Sequence, residues 1–133
     1  MTPKGRGLRP ASPFRFAMTG NDNLCRLCPR RCAADRGTAE GRARSLCRAP
    51  REPKVALVSL HPWEEPCIAR GPGAGTVFFS YCNLRCVFCQ NHAISAGGFG
   101  VTVTVGRLAE IFLEQQARGA SCLELVTAKH YTD

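Results

Sequence analysis

The chain has 133 residues, nine cysteines and a formal net charge of +8. That length suffices for one domain with a modest core. No apolar run approaches the ~18 residues of a membrane-spanning helix, and the first residues lack the apolar stretch of a secretory signal. The cysteine count is odd and the spacings are metal-like, so a reducing, cytoplasmic setting with metal-bound thiolates explains more than a secreted disulfide scaffold does.

Residues 1–21 are rich in Gly, Pro, Arg and Lys and lack hydrophobic periodicity. They read as a disordered basic extension. The basic excess before Lys54 is compatible with nucleic acid or an acidic surface as partner, and a solvated basic head is the plainer reading.

Residues 22–53 form a cysteine-rich module. Cys25, Cys28 and Cys32 follow a C-x2-C-x3-C pattern, and Cys47 supplies a fourth thiol downstream. Four thiolates close a tetrahedral zinc site or ligate a cluster fully. Free thiols and a redox disulfide are the other readings. The intervening loop has little to bury, so a metal would be its main source of order.

Val55–Leu60 is a short apolar run suited to a buried strand. The His61-Pro62-Trp63-Glu64-Glu65-Pro66-Cys67 stretch then leaves it. His61 and the glutamates are candidate acid–base groups, but a structural turn is the plainer role, and Cys67 is expected to pack. The glycines at 71, 73 and 75 lack the Lys-Ser/Thr ending of a phosphate-binding loop. They lead into a second strand, Thr76-Val77-Phe78-Phe79.

Cys82, Cys86 and Cys89 come next, as C-x3-C-x2-C. Thiolates are soft ligands suited to iron–sulfur clusters, zinc and copper(I). Three on one loop leave a fourth coordination position open, which is what a metal needs to activate a small molecule. Cys67 or His92 is the candidate fourth ligand if the same thiols instead close around structural zinc.

Val101–Val105 alternates for a few residues; a short strand is one reading, and an extended lead-in to a helix is preferred. Thr104 is a candidate N-cap, and Leu108, Ile111, Phe112 and Gln115 fall at i, i+3, i+4 and i+7 of a helix ending near Arg118 and Gly119. Ser121–Thr127 reads as another buried strand, with Cys122 in the core. Strand, loop, helix and strand from Thr76 to Thr127 make one βαβ unit.

The stretch from Phe78 to His92, with Phe88 just before the last cysteine, resembles the cluster motif of the radical S-adenosylmethionine (radical SAM) superfamily. It is most similar to the uncharacterised branch related to the pyruvate formate-lyase activating enzyme. Glu64-Glu65-Pro66-Cys67-Ile68, Gly75-Thr76-Val77-Phe78-Phe79 and the cysteines from Cys25 also have counterparts there. One departure is that Tyr81 stands where these proteins usually carry glycine.

The resemblance implies an α/β fold in which residues 54–133 are the first βαβ part of a partial (β/α)6 barrel, preceded by the cysteine-rich module. It implies a 4Fe–4S cluster on Cys82, Cys86 and Cys89, S-adenosylmethionine on the open iron, and Phe88 against that cofactor. A reduced cluster splits the sulfonium, and the resulting radical takes hydrogen from a substrate, a protein glycine in the activating enzymes. The implied partners are S-adenosylmethionine, an electron donor such as flavodoxin or ferredoxin, and possible protein substrates. No membrane partner is implied, and nucleic acid is not expected. Thr127 or His130 takes the place of the family's glycine-rich cofactor contact, an ordinary strand end being the alternative. A complete barrel takes ~200 residues or more, so the chain reads as an N-terminal fragment, a truncated product or a partner-dependent piece that is not expected to catalyse alone. Against this enzyme stand two other readings, a structural zinc-binding module and a basic nucleic-acid-binding protein.

Overall fold

The computed structural model describes residues 24–132, so the basic extension expected over 1–21 lies outside the described residues. Two small sheets are present among them. β1 (Leu24–Cys25) pairs antiparallel with β2 (Ala34–Asp35), and α1 (Ala39–Arg44) follows. Thr38 caps this short helix by accepting from the Gly41 N–H at 3.0 Å.

The second sheet holds β3 (Lys54–His61), β4 (Ala74–Phe79), β5 (Val101–Thr102) and β6 (Leu123–Val126), in the order β5-β3-β4-β6. β3 runs antiparallel to both neighbours, and β4 and β6 are parallel. A parallel pair needs a crossover. Here it contains α2 (His92–Ser95), β5 and α3 (Val105–Ala117). The Thr104 hydroxyl caps α3 by accepting from the Arg107 N–H at 3.1 Å. Gly119, just past the Arg118 cap, takes φ +86, which ends the helix.

The core is small. Val55, Val77, Phe79 and Ile111 are buried, and Leu108, Phe112 and Tyr131 pack against them. Phe79 and Tyr131 rings lie 5.8 Å apart, within the range of favourable aromatic pairs. No described residue of the cysteine-rich module belongs to this cluster.

Four expectations need correction. Val101–Thr102 is a paired strand rather than a mere lead-in, because Val55 and Lys54 offer it a partner edge. The strands expected to be buried are only half so: Leu57, Leu123 and Leu125 are exposed. β6 has one neighbour among the described residues, so it forms an edge of the sheet. Cys67 is exposed rather than packed, because it lies outside the sheet. Cys122 is half-buried rather than core.

α3 crosses the sheet closely at Gly75. A β-carbon there would lie 2.9 Å from Gln115 Cβ and 3.1 Å from Ala120 Cβ. Gly75→Ala is therefore expected to destabilise the fold by about 1–3 kcal/mol through overpacking, read as a lower urea midpoint.

Candidate metal centre

Ser80 is the foundation of the site. It follows β4 and is fully buried. Its N–H donates to Lys54 O at 2.8 Å, and its hydroxyl donates to Phe99 O. Its carbonyl accepts from His130 Nε2 at 3.0 Å. Three separate segments thus hold the residue from which the cysteine loop departs.

The loop turns sharply from there. Tyr81 has φ +69 and Arg85 φ +58, a conformation that costs an L-residue roughly 1–2 kcal/mol. Tyr81 N–H donates to Ile94 O at 3.0 Å. Its ring lies so close to Gly98 that a β-carbon there would be 2.5 Å from it. Lys54 Nζ sits 5.6 Å from the ring centroid, in cation–π range.

Two donors reach sulfur. Leu84 N–H donates to Cys82 Sγ at 3.4 Å, and Ser95 Oγ donates to Cys89 Sγ at 3.3 Å. Such bonds fix the orientation of the sulfurs, as outer partners of metal-ligating groups do. Cys89 N–H also donates to Cys86 O at 3.3 Å, closing a turn between the last two cysteines. Cys86 is exposed and Cys82 and Cys89 are half-buried. Phe88 and Val87 are almost fully exposed. The loop therefore offers both thiols and apolar surface outward. Among the described residues, no three His, Cys, Asp or Glu side chains are gathered as a metal-holding group.

The cysteine-rich module leans on this loop. Arg30 Nε donates to Asn83 O at 3.1 Å, and Arg85 Nη1 donates to Leu46 O at 3.5 Å. Between them lies a cavity of about 450 Å³ lined by Arg30, Cys32, Arg44, Arg48 and Arg85, with no carboxylate in its lining. Cys25, Cys28 and Cys47 are buried, while Cys32 is exposed.

Arg36 is the residue that sequence reasoning missed. It is buried, and it joins the module to the far end of the chain. Nε donates to Ala49 O at 3.1 Å, Nη1 to His130 O at 2.7 Å and to Cys25 Sγ at 3.5 Å, and Nη2 to Pro50 O. The Tyr131 ring centroid lies 5.1 Å from its guanidinium carbon. One arginine in an arginine-rich stretch carries no signal that would single it out. Ser80 and Ser95 were equally hidden, because a serine's spacing does not tell what it bonds.

The other sequence candidates fare differently. His61 Nε2 lies 3.3 Å from Glu64 Oε1 at the surface, an i,i+3 pair remote from the cysteine loop in the fold's secondary structure. Thr127, at φ +60, donates its hydroxyl to Phe79 O at 2.8 Å. His130 is buried against Ser80, so both residues brace the carboxyl ends of β4 and β6. The bond to a carbonyl makes His130 the Nε2–H tautomer, and Nδ1 is left without a partner.

Burial lowers the His130 pKa from 6.5 to about 4, against a smaller raising effect of the Ser80 bond. Burial likewise pushes the Tyr131 phenol up. Between pH 6.5 and 4 the unfolded chain binds a proton at His130 that the folded chain refuses. Stability is thus unaffected above 6.5 and declines as pH falls through this window, by at most about 3 kcal/mol. Urea midpoints measured from pH 7.5 to 4.5 should fall less steeply in His130→Gln than in the parent chain.

No family model and no solved structure matches the chain. An uncharacterized protein of Methanocaldococcus jannaschii is 37% identical over 79 residues. Those residues are 59% of this chain and 21% of the relative, so the chain spans about a fifth of the length of the curated relative it matches.

Proposed function

We propose that this chain carries the cluster-binding part of a radical S-adenosylmethionine enzyme, an oxidoreductase of the glycyl-radical-activating type. Cys82, Cys86 and Cys89 would ligate a 4Fe–4S cluster, and residues 54–133 would be the first βαβ part of its (β/α)6 barrel. The observation that carries this reading is the loop: three thiols on strongly turned backbone at the carboxyl ends of two parallel strands. α/β folds hold their chemistry at such ends.

Two further points support it. The donor set suits the group, since it is purely thiol and two of the sulfurs accept hydrogen bonds. The position at which the resembled proteins carry glycine is the left-handed one, Tyr81 at φ +69, where glycine is unstrained.

When bound, such a cluster supplies the electron that cleaves S-adenosylmethionine and starts hydrogen abstraction from the substrate. The chain's own residues have supporting tasks. Leu84 N–H and Ser95 Oγ would hold the Cys82 and Cys89 sulfurs in position by hydrogen bonds. Ser80, His130 and Thr127 keep the loop's base rigid. Phe88, exposed beside Cys89, would pack on the cofactor and keep water from it. A reductant such as flavodoxin or ferredoxin, a protein substrate and a cytoplasmic setting belong to the same proposal. Among the described residues, no helix is long and apolar enough to cross a membrane.

Anaerobic reconstitution tests the reading. About four irons and four sulfides per cysteine loop are expected, with a brown chromophore. The electron paramagnetic resonance of the reduced cluster should change when S-adenosylmethionine is added. A colourless protein that takes up zinc but no iron would overturn it.

A further inference from the structure

We infer that Cys25, Cys28, Cys32 and Cys47 bind a single zinc ion, and that Arg36 is its counter-charge and its strut to the rest of the molecule. The inference is independent of the cluster proposed at Cys82, Cys86 and Cys89.

The first observation is what the module buries. Its buried residues are Cys25, Cys28, Ala34, Arg36, Gly41, Ser45, Cys47, Ala49 and Pro53. None is a large aliphatic or aromatic residue. Two strands of two residues and a helix of six cannot hold together on alanines. A metal supplies the missing cohesion in domains of this kind.

The second observation is Arg36. Burying a guanidinium is costly unless it is paired. Among the described residues its partners are three carbonyl oxygens, an aromatic face and the Cys25 sulfur, with no carboxylate. Four thiolates around Zn²⁺ carry a net charge of about −2, the sign that a buried arginine lacks.

The third is the set of donors aimed at sulfur. Ala49 N–H donates to Cys47 Sγ at 3.5 Å, and Arg36 Nη1 reaches Cys25 Sγ. Metal-bound thiolates are commonly supported by such outer partners.

The fourth is backbone shape. Six non-glycine residues have positive φ among the described residues: Arg31, Ala33, Arg48, Tyr81, Arg85 and Thr127. All but Thr127 adjoin a cysteine. Arg31 and Ala33 flank Cys32, Arg48 follows Cys47, and Tyr81 and Arg85 precede Cys82 and Cys86. Strain of this sort persists where function needs it, and here both cysteine groups share it. The arrangement sets the two sites apart in kind: four thiols can close a site, whereas three cannot.

The four thiols do not form a preformed cage, and Cys32 lies in the arginine-lined cavity. Metal binding and tightening of the module are therefore one event.

The test uses the full chain, purified anaerobically without chelator. About one zinc per chain is expected, present whether or not the iron–sulfur cluster has been reconstituted. Cobalt(II) in its place should give thiolate charge-transfer absorption and the visible bands of a tetrahedral ion. Cys28→Ser and Cys47→Ser should each lose at least nine-tenths of the zinc, and Cys67→Ser none. Arg36→Met should weaken zinc affinity roughly 10–100-fold, with partial rescue by Arg36→Lys. Zinc should also slow proteolysis within residues 24–53. Failure of the parent chain to bind zinc or to give the cobalt spectrum overturns the inference, even if Cys47→Ser does not fold. Retention of zinc by soluble Cys47→Ser, or about eight irons per chain in place of zinc, does so too. None of these results depends on whether iron binds at Cys86.

Discussion

Replacing Cys86 by serine is expected to drop the iron bound after anaerobic reconstitution from about four per cysteine loop to less than one. A serine hydroxyl is a hard, neutral donor at pH 7 and a poor substitute for a thiolate on iron. Cys86 is the exposed thiol of the three, so its replacement opens no cavity. Circular dichroism and the urea midpoint should be those of the parent chain, which separates lost ligation from lost folding. The neighbouring Val87→Ser, at a residue that is almost fully exposed, should leave iron content unchanged. Iron counted by chelation and sulfide by colorimetry check both. Undiminished iron in Cys86→Ser would refute the three-thiol cluster.

Arg36→Met is expected to be the most damaging substitution outside the sheet. Methionine approximates the volume and removes all of the donors. The carbonyls of Ala49, Pro50 and His130 then lose partners in a buried setting, at ~1–3 kcal/mol for each one left unsatisfied. The losses overlap, so the sum expected is about 3–5 kcal/mol. Because Arg36 and His130 are 94 residues apart, the effect is also a loss of connection. The module should become susceptible to protease before the sheet does. Arg107→Ala is the contrasting case: its carboxylate partners are at the surface, so the urea midpoint should hardly move. Equal midpoints for the Arg36→Met and parent chains would contradict this account.

Much of the sheet's outline was legible from residue pattern. The apolar run after Lys54, the branched and aromatic run before Ser80, and the i, i+3, i+4 pattern from Leu108 correspond to β3, β4 and α3. The Thr104 cap was legible too, because capping depends on neighbouring residues alone. What depends on distant neighbours was not. Nothing in Leu57, Leu123 or Leu125 tells that a covering layer is missing, and periodicity reports a face without reporting its occupant. β5 owes its existence to the free edge of β3. In the site, the cysteines were legible by spacing, whereas Arg36, Ser80 and Ser95 become visible only when chain segments far apart in sequence meet. Thr127 and His130 were candidates for touching a ligand; that their side chains bond to Phe79 O and Ser80 O was not legible.

The outer rim of β6 has a consequence for handling the chain in solution. Its backbone groups face away from β4 with no partner strand among the described residues, and Leu123 and Leu125 are uncovered beside them. Bare rims of this type template pairing between molecules. Concentrated samples should self-associate by joining rim to rim, and sedimentation should show the tendency diminished by Leu125→Lys, whose ammonium would repel its counterpart across the junction.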